Sequence, residues 1–280
     1  SIKWLHVDAQ ADLPALGAAE LKLHWNAKAK APAPAAKLAV TPTGDGVQVD
    51  TGAVSFVLTP SGGGIPEQVK LAGKTVVSSG GKHAMAFVEA GPPLNPPETR
   101  GNWKRPAPAG ATPVELLAKG GTAKVSVEQQ NELRATVKVS GWYEGAGRKA
   151  CLYDVRVTAF AGKPYVRIQH TFTYTEDPEK CFIRHLGLRF NVDGVAQAFF
   201  GGEGQTVHKA DPTKSPYLLA AGPEIQHNGV TLEQAAQLKV GYELVEGGGS
   251  PAATGQEPWG YAGVLGKQGG ISVGVRDLRH

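Results

Sequence analysis

Two long alternating runs joined by a four-residue turn constrain this chain more than any other feature. CLYDVRVTAF occupies residues 151–160, YVRIQHTFTY residues 165–174, and AGKP lies between them. In the second run Val166, Ile168, His170, Phe172 and Tyr174 fall on one side. Tyr165, Arg167, Gln169, Thr171 and Thr173 fall on the other. Period-2 alternation over ten residues, rich in β-branched and aromatic side chains, is the pattern of a half-buried strand. A turn as short as AGKP makes the two runs an antiparallel hairpin. Alternating runs at 133–143 and 183–191 stand on either side, and TEDPEK (175–180) reads as a second tight turn. The expectation is an antiparallel meander, with the 165–175 strand between the 151–160 and 183–191 strands.

The rest of the chain agrees with β structure. Short strand patterns occur at 3–8, 19–26, 47–50, 54–58, 69–71, 74–77, 85–88, 124–128, 237–244, 261–265 and 271–277, and a short helix is expected only at 232–238. Thirty-seven glycines and 20 prolines in 280 residues exclude a helical bundle and suit many strands joined by turns. The low-complexity stretch 27–39 reads as an exposed loop. Seven of the 23 residues at 91–113 are proline, a density that no strand ladder survives. The predicted division is a small all-β unit over 1–92, a Pro-rich linker over 93–113 and a large antiparallel β-sandwich over 114–280.

The net charge of +4 is scattered, with no basic run or basic helix, so nucleic-acid binding has no footprint. The mild positive bias favours an acidic substrate. No stretch reaches the roughly 18 apolar residues of a membrane span. The chain begins at Ser1 and already reads as a strand there, so an initiator or cleaved leader is expected upstream. Cys151 and Cys181 are either two buried thiols or one disulfide of an exported protein. The expected meander puts two strand spacings, roughly 10 Å, between them, which favours thiols.

Five stretches in order carry a resemblance: WLHVDAQADLP, VQVDTGAVSFVLTP, YDVRVTAFAGKPYVRIQHTFTYTED, RHLGLRF and GISVGVRDLRH. Together they resemble the front part of the exo-rhamnogalacturonan lyase family and its bacterial YetA-like relatives. The resemblance implies an N-terminal RIFT-type β-barrel, here over 1–92, a central β-sandwich and a C-terminal α/α toroid whose place is after His280, so that the chain is a piece of a larger enzyme, a relative that lost the toroid, or one whose toroid is another chain. It also implies a secreted or cell-envelope protein acting on acidic polysaccharide. Such lyases build the catalytic cleft mostly from the toroid, so no catalytic residue carries over, and this chain alone is expected to be inactive.

The candidate binding residues come from the alternation itself. Asp154, Arg156 and Thr158 share one face, Arg167 and Gln169 follow on the next strand, and His185 and Arg189 share a face of the strand after that. β-Elimination from a uronate needs a cation on the carboxylate and a base for the C5 proton. Arginine suits the carboxylate through its planar fork. The alternative is a wet sheet with cross-strand ion pairs, for example Asp154 with Arg167. Arg184 falls on the apolar side with Leu186, Leu188 and Phe190, where a structural partner such as Glu176 or Asp177 is expected. His170 reads as a satisfied core histidine.

Trp103, Trp142, Tyr143, Trp259 and Tyr261 lie beside glycine or proline, as sugar-stacking platforms or as plugs at the sandwich ends. Of these, Trp142 and Trp259 are the platforms selected. His83, His208 and His227 lie in or beside loops without a zinc spacing, so no metal and no cofactor is expected. The glycine clusters 62–64 and 247–249 lack the Lys-Ser/Thr of a phosphate loop, and no Gly-x-Ser-x-Gly elbow occurs.

Three functions follow: the β portion of a uronate-polysaccharide lyase, a stand-alone carbohydrate-binding protein, or a self-assembling structural subunit of an extracellular assembly.

Overall fold

The computed structural model describes residues 7–11, 18, 20, 22, 33–78, 80–89, 113–119, 121–177, 180–221, 241–247, 250–256 and 258–275. The Pro-rich segment before Pro113, the helix expected at 232–238, most of the strands expected at 3–8 and 19–26, Trp103 and His227 lie outside them.

Nearly all described structure is antiparallel β. A first sheet runs in simple order through β1 (Ala39–Thr43), β2 (Gly46–Asp50), β3 (Val54–Leu58), β4 (Glu67–Leu71) and β5 (Lys74–Val77). A larger sheet contains β6 (Lys82–Glu89), β7 (Val114–Leu117), β8 (Lys124–Gln130), β9 (Arg134–Gly145), β10 (Arg148–Phe160), β11 (Val166–Thr173) and β12 (Cys181–Arg189). Its order is β11-β10-β9-β7-β6-β12, with β8 also pairing to β9. The two sheets face each other. Val47, Val49, Phe56 and Leu58 of the first share one buried core with Met85, Phe87, Leu116, Val137, Val139, Tyr143, Val155 and Val157 of the second.

Two smaller sheets follow. One is built from β13 (Val195–Gly201), β14 (Val207–Ala210), β18 (Tyr261–Gly266) and β19 (Gly269–Gly274). The other has β15 (Tyr217–Ala221), β16 (Gly241–Val245) and β17 (Ala253–Gly255).

Local chemistry explains the strands. In β9 and β10, Ala135, Val137, Val139, Tyr143 and Tyr153, Val155, Val157, Ala159 are buried, and the residues between them are not. Their two-residue turn, Ala146-Gly147, has both φ angles positive (47° and 75°), the turn whose twist matches that of paired strands. The hairpin expected at AGKP is present, with Leu152–Ala159 of β10 running opposite Val166–Thr173 of β11.

Three expectations are corrected. First, β12 does not pair with β11 across 175–180. It pairs with β6, so β11 and β12 end the sheet path at opposite edges. The cause lies in β6, whose residues 83–88 are all buried on both faces. Such a strand is stable only with neighbours on both edges, and β7 and β12 supply them. Cys151 and Cys181 are buried free thiols, but β11 does not stand between their strands as the spacing argument required.

Second, the boundary at residues 92/93 does not divide the fold, because β6 hydrogen-bonds to β7 and β12 and the first sheet covers the same core. Third, Arg184 does not sit on the apolar face. A register shift between Ile183 and His185 makes it the extra residue of a β-bulge, and it is exposed.

The connection between β3 and β4 is held against the large sheet by its glycines. A Cβ on Gly63 would lie 2.2 Å from the Ala118 carbonyl oxygen, and one on Gly64 (φ +89°) 2.5 Å from Val155 Cβ. Gly73 has a similar φ of +78° but open space around it. Gly64→Ala should therefore cost about 3 kcal/mol, from left-handed strain plus overpacking, and Gly73→Ala only about 1 kcal/mol. Urea unfolding of both variants checks this. Equal losses would contradict the packing account.

Candidate functional site

Paired residues in a sheet present side chains on the same face, so the register defines the outer surface of β8–β11 row by row. One row holds Thr136, Thr158 and Arg167, and the Thr136 and Thr158 hydroxyls lie 3.0 Å apart. The next holds Ser126, Lys138, Arg156 and Gln169, and the third Lys124, Ser140, Asp154 and Thr171. The fourth holds Trp142, Leu152 and Thr173. Arg156, Arg167 and Gln169 are thus brought together as the alternation predicts, with Trp142 at one end of the same face.

The ion pairing differs from the cross-strand pair expected between Asp154 and Arg167. Arg156 donates from Nε and Nη2 to the two carboxylate oxygens of Glu128, at 2.7 and 3.0 Å. Lys138 lies 3.4 Å from the same carboxylate. The Arg156 hydrogen bond, before the charges, holds the Glu128 carboxyl below its ordinary range. Glu128 follows Lys124 and Ser126 onto this face by plain alternation, and it is the extra residue where the β8–β9 register shifts between Val127 and Gln129. Asp154 lies 3.9 Å from Arg156 and is not the partner of Arg167. Among the described residues Arg167 has neither a salt bridge nor a side-chain hydrogen bond, and both it and Gln169 are exposed.

His185 and Arg189 do not join this face. They sit on β12 at the other edge of the sheet, where His185 lies 3.9 Å from Glu115. Trp259 is 45% exposed and belongs to neither surface, lying beside Gly201 of β13 through its backbone. Tyr143, grouped in sequence with the exposed aromatics, is fully buried.

The outer face leads into a cleft. Along β9 the outward residues run Thr136, Lys138, Ser140, Trp142 and Glu144, about 26 Å at strand rise. Glu144 then forms one wall of a cavity of about 600 Å³ at the β9–β10 turn, with Ser61, Lys119, Gly145, Gly147, Arg148 and Lys149 around it. Arg148 is committed to Glu176 and lies 3.6 Å from Glu89, and Lys149 lies 3.5 Å from Glu144. Lys119 has no polar partner among the described residues.

On the inner side of the same strands lies a chain of polar groups that sequence reasoning did not assemble. His83, expected in a loop, is in β6 and only 3% exposed. Its Nδ1 is 2.8 Å from the Gly63 carbonyl oxygen, and its Nε2 is 2.5 Å from the Tyr143 hydroxyl. That hydroxyl is 2.8 Å from His170 Nε2. A carbonyl only accepts, so His83 donates from Nδ1, Tyr143 donates to His83 Nε2, and His170 donates to Tyr143. Tyr153 packs against His83 and Tyr143, and its buried hydroxyl has no partner. The visible signal was a tyrosine and two histidines falling on core positions of alternating strands.

Burial pushes the His83 imidazole down from 6.5 to about 4 and also lowers His170. Among the described residues no group of three or more His, Cys, Asp or Glu side chains is placed to hold a metal ion, and no helix is long and apolar enough to cross a membrane.

With this geometry in hand, the family model described as the PcRGLX-like protein central beta sandwich domain matches residues 38–199. The chain belongs to that family. The match covers more than half of the chain and runs from just before β1 into β13, through both sheets of the sandwich and the rows of the outer face. It identifies a rhamnogalacturonan lyase-like β-sandwich domain and crosses the division expected at 92/93. No curated protein matches the sequence.

The lowered His83 value carries a pH dependence. The unfolded chain binds this proton more tightly than the fold does, so stability is full above pH 6.5, falls between 6.5 and 4, and levels off below. Denaturant unfolding should lose about 2 kcal/mol between pH 7 and pH 4.5 from His83. His83→Gln should flatten that slope, and an unchanged slope would contradict the assignment.

Proposed function

We propose that this chain is the saccharide-binding β portion of a lyase-like protein acting on uronate-containing polysaccharide by β-elimination. The observation that carries the reading is the uncommitted pair on β11. Arg167 is exposed with no described partner, and the Gln169 amide lies beside Arg156 on the same face. An arginine left free at a surface already laced with ion pairs is available to a carboxylate, which its fork binds in two places.

The shape of the surface supports an extended ligand. The outward residues of β9 form a track from Lys138 and Ser140 past Trp142 to the cleft bearing Lys119, Arg148 and Lys149. Trp142 offers a plane for the apolar face of a sugar ring, and the cations complement uronate charge. In this reading Arg156 holds the face together through Glu128, while Arg167, Gln169, Trp142 and Lys119 contact the ligand. Trp259 lies apart as a second stacking surface, and His185 and Arg189 form a separate polar edge.

The chemistry itself is assigned to an α/α toroid, supplied by the same protein or another chain, in a secreted or cell-envelope setting. This rests on the family, together with the commitment of the Glu128 carboxylate on this face to Arg156 and Lys138.

Calorimetric titration with a rhamnogalacturonan oligosaccharide tests the proposal. Arg167→Ala should weaken binding about tenfold, the loss of one charge-assisted contact worth roughly 1.5 kcal/mol. Unfolding stability should change by no more than about 0.5 kcal/mol. A neutral galactan should not bind. Equal affinity of wild type and Arg167→Ala would show that the face is only solvated.

A further inference from the structure

The two faces of β11 are coupled by the strand itself. Arg167 and Gln169 point outward from it, and His170, between Gln169 and Thr171, points inward. Among the described residues β11 is an edge strand whose only sheet neighbour is β10. The polar contact holding its inner side is the bond from His170 to Tyr143, which continues through His83 to the Gly63 carbonyl.

We propose that His170 is a positioning residue for the saccharide face: through Tyr143 and His83 it fixes β11, and with it Arg167 and Gln169, in a proton-dependent way. The inference rests on the binding role proposed for that face.

Donor–acceptor accounting explains why the latch responds to protons. In the neutral chain every hydrogen bond has one donor and one acceptor, with His170 carrying its hydrogen on Nε2. His83 already donates from Nδ1, so a proton on its Nε2 would take away the acceptor that Tyr143 needs. His170 has its Nδ1 free and is the partly buried end of the chain, so it takes the first proton. The resulting imidazolium sits in a site whose burial disfavours charge. Its hydration increases as β11 moves outward.

Among the described residues, groups from every packed strand face these imidazoles. They are His83 from β6, Tyr143 from β9, Tyr153 from β10 and the Gly63 carbonyl from the β3–β4 connection, with Phe172 stacked on His170 from β11 itself. Among the described residues no carboxylate, lysine or arginine bonds to His83, Tyr143 or His170. Glu144 acts on the cluster electrostatically through Tyr153. No counter-ion therefore compensates the charged form, and acidification below about pH 6.5 loosens the strand. On the outer face the hydrogen bond from Arg156 holds the Glu128 carboxyl below its ordinary range, and the bond to Glu128 holds the Arg156 guanidinium above its own, so both keep their charge on acidification to pH 5.5.

The test pairs wild type with His170→Gln, whose amide nitrogen still donates to Tyr143 but does not titrate, and with Tyr143→Phe. Trigalacturonate affinity is measured at pH 7.5 and 5.5. Wild type should weaken about fivefold on acidification. His170→Gln should keep wild-type affinity at pH 7.5 and change less than twofold, and Tyr143→Phe should be weak at both values. His185→Ala, at the far edge of the sheet, should keep the wild-type pH slope.

Hydrogen exchange of the free protein separates this inference from the binding role. Protection factors of the β11 amides should fall at least fivefold from pH 7.5 to 5.5 in wild type and stay level in His170→Gln. That result with no saccharide binding would keep the latch and discard the binding site. Level protection in wild type, or the same fall in His170→Gln, would overturn the latch whatever the saccharide does.

Discussion

The bond from His83 to the Gly63 carbonyl joins the two layers of the sandwich, and much else depends on it. The imidazole belongs to the large sheet and the carbonyl to a connection of the small one. The same ring accepts from Tyr143 of β9, which in turn accepts from His170 of β11. One buried polar chain therefore spans the loop between β3 and β4, the centre of the large sheet and its edge. Buried polar groups are tolerable only when satisfied, so the glycines that let residues 62–64 approach Ala118 and Val155 are part of the same device. The apolar core supplies the bulk of the burial, and this chain sets how the layers meet.

The outer face shows the opposite economy of polar groups. Arg156, Glu128 and Lys138 satisfy one another across three strands. One β11 position away from them, Arg167 is left without a described partner. Ordinary sheet surface disperses its charges into such pairs. The combination of a paired set, a free arginine with a neighbouring amide, a tryptophan on the same strands and a cationic cleft beyond it supports an extended acidic ligand better than a merely wet face. The family match over 38–199 places these rows within a rhamnogalacturonan lyase-like sandwich.

What was legible in the sequence was local. Alternation located β9, β10, β11 and β12 to within a few residues, and it put Arg156, Arg167 and Gln169 on one face, because side-chain direction in a strand follows from period 2 alone. Sheet order is not local. The turn at 175–180 resembles a hairpin, yet β12 crosses to β6, since a strand buried on both faces takes neighbours on both edges, here β7 and β12 from beyond the proline-rich segment. That removed His185 and Arg189 from the candidate face and paired residues 82–89 with β7 and β12.

A bulge produced a further error, since one extra residue shifts the alternation. Arg184, the extra residue of β12, went outward. The strands β1, β7, β13, β14, β15 and β17 went unread: β7, β14 and β17 span only three or four residues, β1 carries a proline, and VAQAFFG of β13 and YLLAA of β15 lack clean alternation.

The account stands on the outer face of β8–β11 being the place where saccharide lies. Backbone and indole chemical shifts of isotopically labelled protein, followed during titration with a rhamnogalacturonan oligosaccharide, test it most directly. The largest changes should map to Lys138, Ser140, the Trp142 indole, Arg167, Gln169 and the Gly147 turn. Changes concentrated instead at Trp259 and β18–β19, or on β12, would contradict it.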